Sequence, residues 1–399
     1  MDMLFLSSDY PPNLLGGVGI YTEQFARHLA ERGHQAFVIT KAKDIPCEYV
    51  DYGVRVWRVR PQRVSWLDPV RERYPVFVER LEYSIAVARQ MRHVLRRYPI
   101  DVVESCESRA EGFWHFLFHR RPKLFVKLHT PDGLIFRLNQ QLPSRDLELV
   151  LAIEAWWLRR ATMLVGLTDA VVERVSQLYQ LRTERIPKVR IPVDTRFFHP
   201  NPALKSTKDL QVLYVGRLEF RKGVHVLLRA IPRVLQALPH VQFTLIGSGC
   251  GMQSLLNRYR EDPRYQSHMN WCESASREEI RAAYQRSHVC VVPSLWENHP
   301  IACLEAMSCG CAVIASRVGG LPEILQHDVN GYLIPTGSSY ALAKALLTLL
   351  TDARKREDLG NQARSHVEQH YDTERVFDDT IALYERLLNH RNGHGASNA

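Results

Sequence analysis

The run Val212-Leu213-Tyr214-Val215-Gly216-Arg217-Leu218-Glu219-Phe220-Arg221-Lys222-Gly223-Val224-His225-Val226-Leu227 holds a strand, a sharp turn and the opening of a helix in sixteen residues. Four apolar strand formers end at Gly216, and Val226, Leu227 and Ala230 then recur at helical spacing. Arg217 falls at the carboxyl end of the strand and Lys222 at the start of the helix, so both cations and the helix N-terminus can converge on one phosphate-sized volume. Arg217 can offer two parallel donors and Lys222 a point charge, a division suited to a diphosphate. Arg221 reads as a charge on a surface turn.

Outward from this run the same alternation continues in both directions, which predicts parallel α/β layers. Downstream, strands are expected at 242–246, 289–292 and 312–315, with helices from about 277, 301 and 339. Upstream, strands are expected at 3–7, 36–40, 54–59, 101–104, 124–128, 163–167 and 189–191, with a helix over 19–32 that Gly33 stops. The pattern breaks at Ile191-Pro192-Val193-Asp194, and residues 199–209 read as a polar, proline-punctuated linker. The 399 residues therefore divide into an N-terminal domain, 1–195, and a C-terminal domain, 196–370. A last amphipathic helix, 371–390, and a Gly, Asn and His rich tail, 391–399, expected to be disordered, follow. Two α/β halves joined by one linker leave a cleft, the usual place for a ligand.

Apolar residues make up 45% and charged residues 24%, which excludes a disordered or collagen-like chain. The formal net charge is +9, and residues 51–100 carry eleven basic residues, every one arginine, against five acidic. No zinc-finger spacing, heptad-linked basic helix or aromatic RNA-binding motif accompanies that surplus, so nucleic acid is not the expected partner. The eight cysteines include no Cys-x-x-Cys pair, and Cys309 and Cys311, with no ligand set around them, are expected in the core. No run approaches a membrane span. The opening Met1-Asp2-Met3-Leu4-Phe5-Leu6-Ser7 is too short and too acidic for a signal peptide, and a cytoplasmic, reduced protein is expected.

Two further segments carry chemistry. Gly16-Gly17-Val18-Gly19 follows the first strand, where glycines let the backbone approach a ligand and aim N–H groups at an anion. It fails the dinucleotide fingerprint, since Thr22 stands where the third glycine belongs. In Trp296-Glu297-Asn298-His299-Pro300-Ile301-Ala302-Cys303-Leu304-Glu305, Glu305 is the one formally charged residue between Asn298 and Ser316. A carboxylate in so apolar a helix costs several kcal/mol unless something satisfies it, and sugar or ribose hydroxyls would do so. A buried pair with an arginine is the alternative. Glu297, at a strand end, would lie at a different depth of the same cleft.

Together, Gly16-Gly17-Val18-Gly19, Lys127-Leu128-His129-Thr130, Gly216-Arg217 with Lys222-Gly223, Glu297 with Glu305, and Gly319-Gly320-Leu321-Pro322-Glu323 resemble family 4 retaining glycosyltransferases of the GT-B fold. The resemblance runs in order from about residue 3 to 335. It implies two Rossmann-like domains with parallel sheets facing across a cleft, the C-terminal one taking a nucleotide sugar and the N-terminal one the acceptor, with the final helix crossing back to the N-terminal domain. It gives Arg217 and Lys222, helped by Gly16 and Gly17, the diphosphate; Glu305 the ribose; and Glu297, Asn298, His299 and Ile301 the donor sugar. His129 falls near the sugar's reacting face. The implied reaction is hexosyl transfer with retention, from a UDP-sugar first and GDP-mannose next, to a glycan, lipid-linked or small-molecule hydroxyl. No Asp-x-Asp occurs, and neither cofactor nor metal is expected.

Two departures stand out. Pro300 occupies a place where the family often has glycine, and it has no N–H to give a sugar hydroxyl. The segment before Val193-Asp194 lacks the family's Asn-Gly or Asn-Pro. Three other classes compete: an NAD dehydrogenase, disfavoured by the failed fingerprint; a GT-B epimerase, which would turn over donor alone; and a binding module, which would bind donor without turnover. The arginine-rich segment suits an anionic glycan, a phosphorylated lipid carrier or an acidic membrane surface, with Arg71, Arg73 and Arg80 as acceptor-binding candidates.

Overall fold

The computed structural model describes residues 1–12, 16–140, 142–181, 186–206, 209–249 and 251–390. The expected tail, 391–399, and Cys250 lie outside the described residues. The chain forms two compact units, Met1–Val189 with the segment from Phe377 onward, and Arg190–Val376. The proline-punctuated segment expected to link the halves lies inside the second unit, where Pro202–Leu204 forms a short 3-10 turn.

The first unit is built on a seven-stranded sheet. Its strands are β1 (Met3–Leu6), β2 (Ala36–Lys41), β3 (Cys47–Asp51), β4 (Val54–Val59), β5 (Val102–Cys106), β6 (Lys123–Leu128) and β7 (Met163–Gly166), in the order β3-β4-β2-β1-β5-β6-β7. All pairings are parallel except β3 with β4. That hairpin, unforeseen from the sequence, turns at Tyr52 and Gly53, both with positive φ, the geometry of a tight two-residue turn. Its β3 is an edge strand with mostly exposed side chains, so it shows no apolar run to read. The strand expected at 189–191 does not form, because Lys188 makes one isolated bridge to Gly166 and the chain then passes to the second unit. The helix Thr373–His390 delivers Phe377 against Phe25 and Tyr384 against Phe125, and thereby completes the core of this unit.

The second unit has six strands, all parallel: β8 (Gln211–Val215), β9 (Gln242–Ile246), β10 (Met269–Cys272), β11 (Val289–Val292), β12 (Ala312–Ser316) and β13 (Tyr332–Ile334), ordered β10-β9-β8-β11-β12-β13. The two edge strands, β10 and β13, escaped the sequence reading: β10 has no buried residue, so it shows no apolar run, and β13 is only three residues long.

Strand order fixes where ligands can sit. From β8 the chain first runs outward through β9 and β10, then returns to the other side at β11. From β1 it runs to β2, then returns at β5. At such a reversal the loops leave the carboxyl ends in opposite directions and a crevice opens between them. The loops after β8 and β11, and those after β1 and β5, are therefore where chemistry is expected.

Candidate active site

In the second unit, the loop after β8 carries Arg217 and Lys222 and the loop after β11 carries Glu297. Their backbones are knitted together: Leu295 N–H donates to the Arg221 carbonyl at 2.8 Å, and Gly320 N–H to the Glu297 carbonyl at 3.0 Å. Two glycines make this approach possible. Gly223 (φ 71°) starts the helix Val224–Ala237, and a Cβ there would stand 1.9 Å from the Pro293 carbonyl oxygen. Gly319 (φ 54°) would place one 1.8 Å from the Glu297 carbonyl oxygen. No side chain fits either position without moving backbone.

The knitting brings Lys222 Nζ to 2.7 Å from Glu297 Oε1, and Ser294 Oγ donates to the same oxygen at 2.8 Å. Burial alone would raise the Glu297 carboxyl, but Lys222 and Arg221 beside it and these hydrogen bonds hold it below the usual range. Glu297 is thus a buried carboxylate kept ionised by fixed cations. Arg221, expected on the surface, is instead 4% exposed and bound to Glu219 at 2.6 Å. The reason is charge pairing: Glu219 is buried too, and it also holds Arg217 at 3.3 Å. Arg217 keeps 47% of its side chain exposed, so its guanidinium remains open to a ligand.

Glu305 lies in the helix Ile301–Ser308 and meets the Tyr284 hydroxyl, which donates to its Oε2 at 3.1 Å. Burial raises its pKa to about 7, against the pull of Tyr284 and of the Arg277 charge. The alternative of a buried arginine pair is not what the structure contains. Asn298 and His299 are both buried. Burial and the Arg190 charge push the His299 ring down to about 3, so it is neutral, and its Nδ1 has no hydrogen-bond partner. Ile301, half-buried, opens the helix behind Pro300, whose missing N–H costs nothing at a helix start.

In the first unit, Gly16 and Gly17 open the helix Gly17–Glu31, and a Cβ on Gly16 would meet nothing within 4 Å. His129 follows β6, and its backbone N–H donates to Glu107 Oε2 at 2.8 Å. Glu107 is fully buried in the loop after β5; burial and the nearby Asp132 charge raise it to about 8, although the His129 and Thr130 N–H groups favour its ionised form. Glu111 in the same loop is raised by burial to about 7, opposed by Arg109 and by Ser8, whose N–H it accepts at 2.7 Å. Arg71 is held by Glu82 at 2.7 Å and Asp68 at 3.2 Å, and Arg80 by Asp132 at 2.5 Å, while Arg73 is exposed beside the Tyr74 ring. The structure thus gathers Arg217, Lys222 and Glu297 at one strand-end crevice, with Glu305 on the helix that follows, and His129, Gly16 and Gly17 at strand ends of the other unit.

Residues 195–366 match the model of glycosyl transferases group 1 and residues 15–197 that of glycosyltransferase family 4. The chain belongs to the family 4 glycosyltransferases of the GT-B fold. An uncharacterized glycosyltransferase of Methanocaldococcus jannaschii is 26% identical, over 96% of this chain and 98% of its own length. Among solved structures, sucrose-phosphate synthase from Thermosynechococcus elongatus superposes with a TM-score of 0.77 at 20% identity, covering 98% of this chain and all of that one. Anabaena HepE, solved in complex with UDP-glucose, gives 0.75 at 19% identity over 97% and 100%.

Sequence reasoning missed several residues of this glycosyltransferase. Tyr284 was detectable only as the one aromatic residue in the charged helix Arg277–Arg286. Ser294 carried no signal. Glu107 could have been noticed as a carboxylate just past an apolar strand, the pattern that drew attention to Glu305.

Proposed function

We propose that this glycosyltransferase moves a hexosyl unit from a nucleotide diphosphate sugar, a UDP-sugar in the first place and GDP-mannose next, to a hydroxyl of a glycan, lipid-linked or small-molecule acceptor. The observation that carries the reading is the Lys222 and Glu297 pair, with Arg217 open beside it, at the carboxyl ends of β8 and β11. Departure of the nucleoside diphosphate develops negative charge on the leaving oxygen, and fixed cations aimed at that oxygen lower the barrier without reorganising. Arg217 and Lys222 supply that charge in place of a divalent ion. Glu297 orients Lys222 and lies where donor-sugar hydroxyls would reach it, with Asn298, His299 and Ile301 following. Glu305, held by Tyr284, accepts the ribose hydroxyls. The UDP-glucose bound by HepE supports a UDP-sugar donor.

In the same reading transfer retains the anomeric configuration: the acceptor enters on the face the diphosphate leaves, and the leaving phosphate takes its proton. His129 stands at the reacting face, Gly16 and Gly17 contribute N–H groups to the diphosphate, and Arg71, Arg73 and Arg80 face the acceptor.

The test is calorimetry with UDP-glucose and GDP-mannose on wild type, Arg217→Ala, Glu305→Ala and the surface control Arg354→Ala. Loss of a charge-assisted contact should weaken donor binding by about 1.5 to 3 kcal/mol in the first two variants and leave the control unchanged. Wild-type affinity in both would overturn the site. Product analysis with donor alone separates transfer from epimerisation.

A further inference from the structure

The first unit exposes aromatic side chains that its core does not use. Trp66 is 57% exposed, Phe118 67% and Leu117 42%. Large apolar residues left open in this way, and adjacent to one another, mark a contact surface. They form one strip: the Trp66 ring lies 6.1 Å from Trp114, and Trp114 lies 5.6 Å from Phe118. Trp114 itself is anchored by packing on Leu67, Val78, Leu81 and Ile85 and by its N–H to Ser84 Oγ at 2.7 Å. Trp114 and Phe118 are thus carried by the helix Phe113–Phe118, which packs against the helix Pro75–Arg97, and Trp66 by the short 3-10 turn Ser65–Leu67.

The acidic groups nearest Trp66 are already taken up by arginines: Asp68 pairs with Arg63 at 2.9 Å and with Arg71 at 3.2 Å, and Glu82 with Arg71 at 2.7 Å. Of the twelve basic residues in 52–67, 83–100 and 112–131, Arg55, Arg63 and Lys127 pair with Glu48, Asp68 and Glu104, which leaves the surplus on other arginines. Arg89, tied to Gln62 at 2.7 Å, connects the second half of the long helix to the segment before Trp66. Arg92 is close enough to His115, one residue from Trp114, to help lower its pKa, which burial lowers first. Arg120 and Arg121 follow Phe118 after His119, and both are exposed. Among the described residues Arg92, Arg120 and Arg121 have no carboxylate partner, unlike Arg71 and Arg80.

We propose that this strip, and not Arg71, Arg73 and Arg80, docks the protein onto an anionic lipid bilayer. Tryptophan and phenylalanine favour the boundary between headgroups and acyl chains, where a ring can be buried and an indole N–H stay wet. Guanidinium groups beside them meet phosphate headgroups, a pairing that a zwitterionic surface does not reward. Nucleic acid is not favoured, because no aromatic RNA-binding motif accompanies these basic residues. The proposal stands apart from the donor site and does not depend on which sugar is transferred.

The experiment uses the full chain with vesicles of phosphatidylcholine alone or with about 30 mol% phosphatidylglycerol, read by co-sedimentation and by quenching of tryptophan emission with brominated acyl chains. Wild type should bind the anionic vesicles alone, with quenching. The Trp66→Ser, Phe118→Ser double variant should lose quenching, and Arg92→Glu with Arg120→Glu should cut partitioning about tenfold or more. Arg120→Lys with Arg121→Lys should stay close to wild type. Unchanged melting and unchanged UDP-glucose calorimetry in each variant show that neither folding nor the donor site is responsible. Equal binding to both vesicles, or anionic binding that survives both sets of substitutions, would overturn the proposal. So would retention of single-stranded RNA that the Phe118→Ser change abolishes at the same salt concentration.

Discussion

The loops after β11 and after β5 each bury a glutamate at the carboxyl end of a parallel sheet, with opposite outcomes. Glu297 has Lys222 at 2.7 Å and is held below the usual carboxyl range. Glu107 receives backbone N–H groups but lies beside Asp132, and burial raises it to about 8. One loop stores a fixed charge and the other a proton. Burial does not decide the state of a carboxyl by itself; the sign of the neighbouring charges does.

The sharpest way to break the contrast is Lys222→Met, which leaves Glu297 buried without its nearest cation. A loss of about 3 to 5 kcal/mol is expected, seen as a melting temperature lower by about 6 to 20 °C, together with loss of transfer. Undiminished melting would mean that Glu297 is reached by solvent.

On the other side, Glu107→Gln should remove a pH dependence. The folded chain keeps this proton up to about pH 8, whereas the unfolded chain releases it near 4.5, so the folded state binds more protons across that window. Its stability contribution is complete below about 4.5 and is lost as pH rises through about 8. Denaturant titrations of wild type should show stability falling over that range by about 2 to 4 kcal/mol, and a shallower fall in the variant. Glu297 runs the other way, stabilising at neutral pH and losing that contribution as pH drops through its lowered value.

Gly319→Ala tests whether the backbone knitting sustains the charged loop. A Cβ at 1.8 Å from the Glu297 carbonyl forces the loop apart, and about 2 to 3 kcal/mol should be lost along with donor affinity. Gly16→Ala is the smallest expected effect on stability, within about 0.5 kcal/mol, because nothing lies within 4 Å of the added carbon. A selective loss of UDP-glucose affinity in that variant would identify Gly16 as a position where backbone meets ligand.

The alternation of strand and helix was legible along most of the chain, since buried parallel strands are short apolar runs bounded by turn residues. Strands β3, β10 and β13 were not, because short edge strands with mixed exposure have no such pattern. Lys222 and Glu297 were legible as residue types at strand ends, and Glu305 as a lone charge in an apolar helix. Tyr284 was not, since a partner supplied from another helix leaves no trace near the residue it serves.

The amino-acid order by itself determined the two α/β units, the placing of Arg217 and Lys222 between a strand end and a helix start, and the family, because these depend on local spacing. Tertiary structure alone decided that Arg221 is buried, that Arg71 and Arg80 are held by carboxylates, and that Trp66, Trp114 and Phe118 form one strip. Arg80 with Asp132 and Trp66 with Trp114 join residues about fifty apart, and even a near pair such as Arg221 and Glu219 is buried only by what the fold packs over it, because a side chain's charge state and exposure are set by its surroundings.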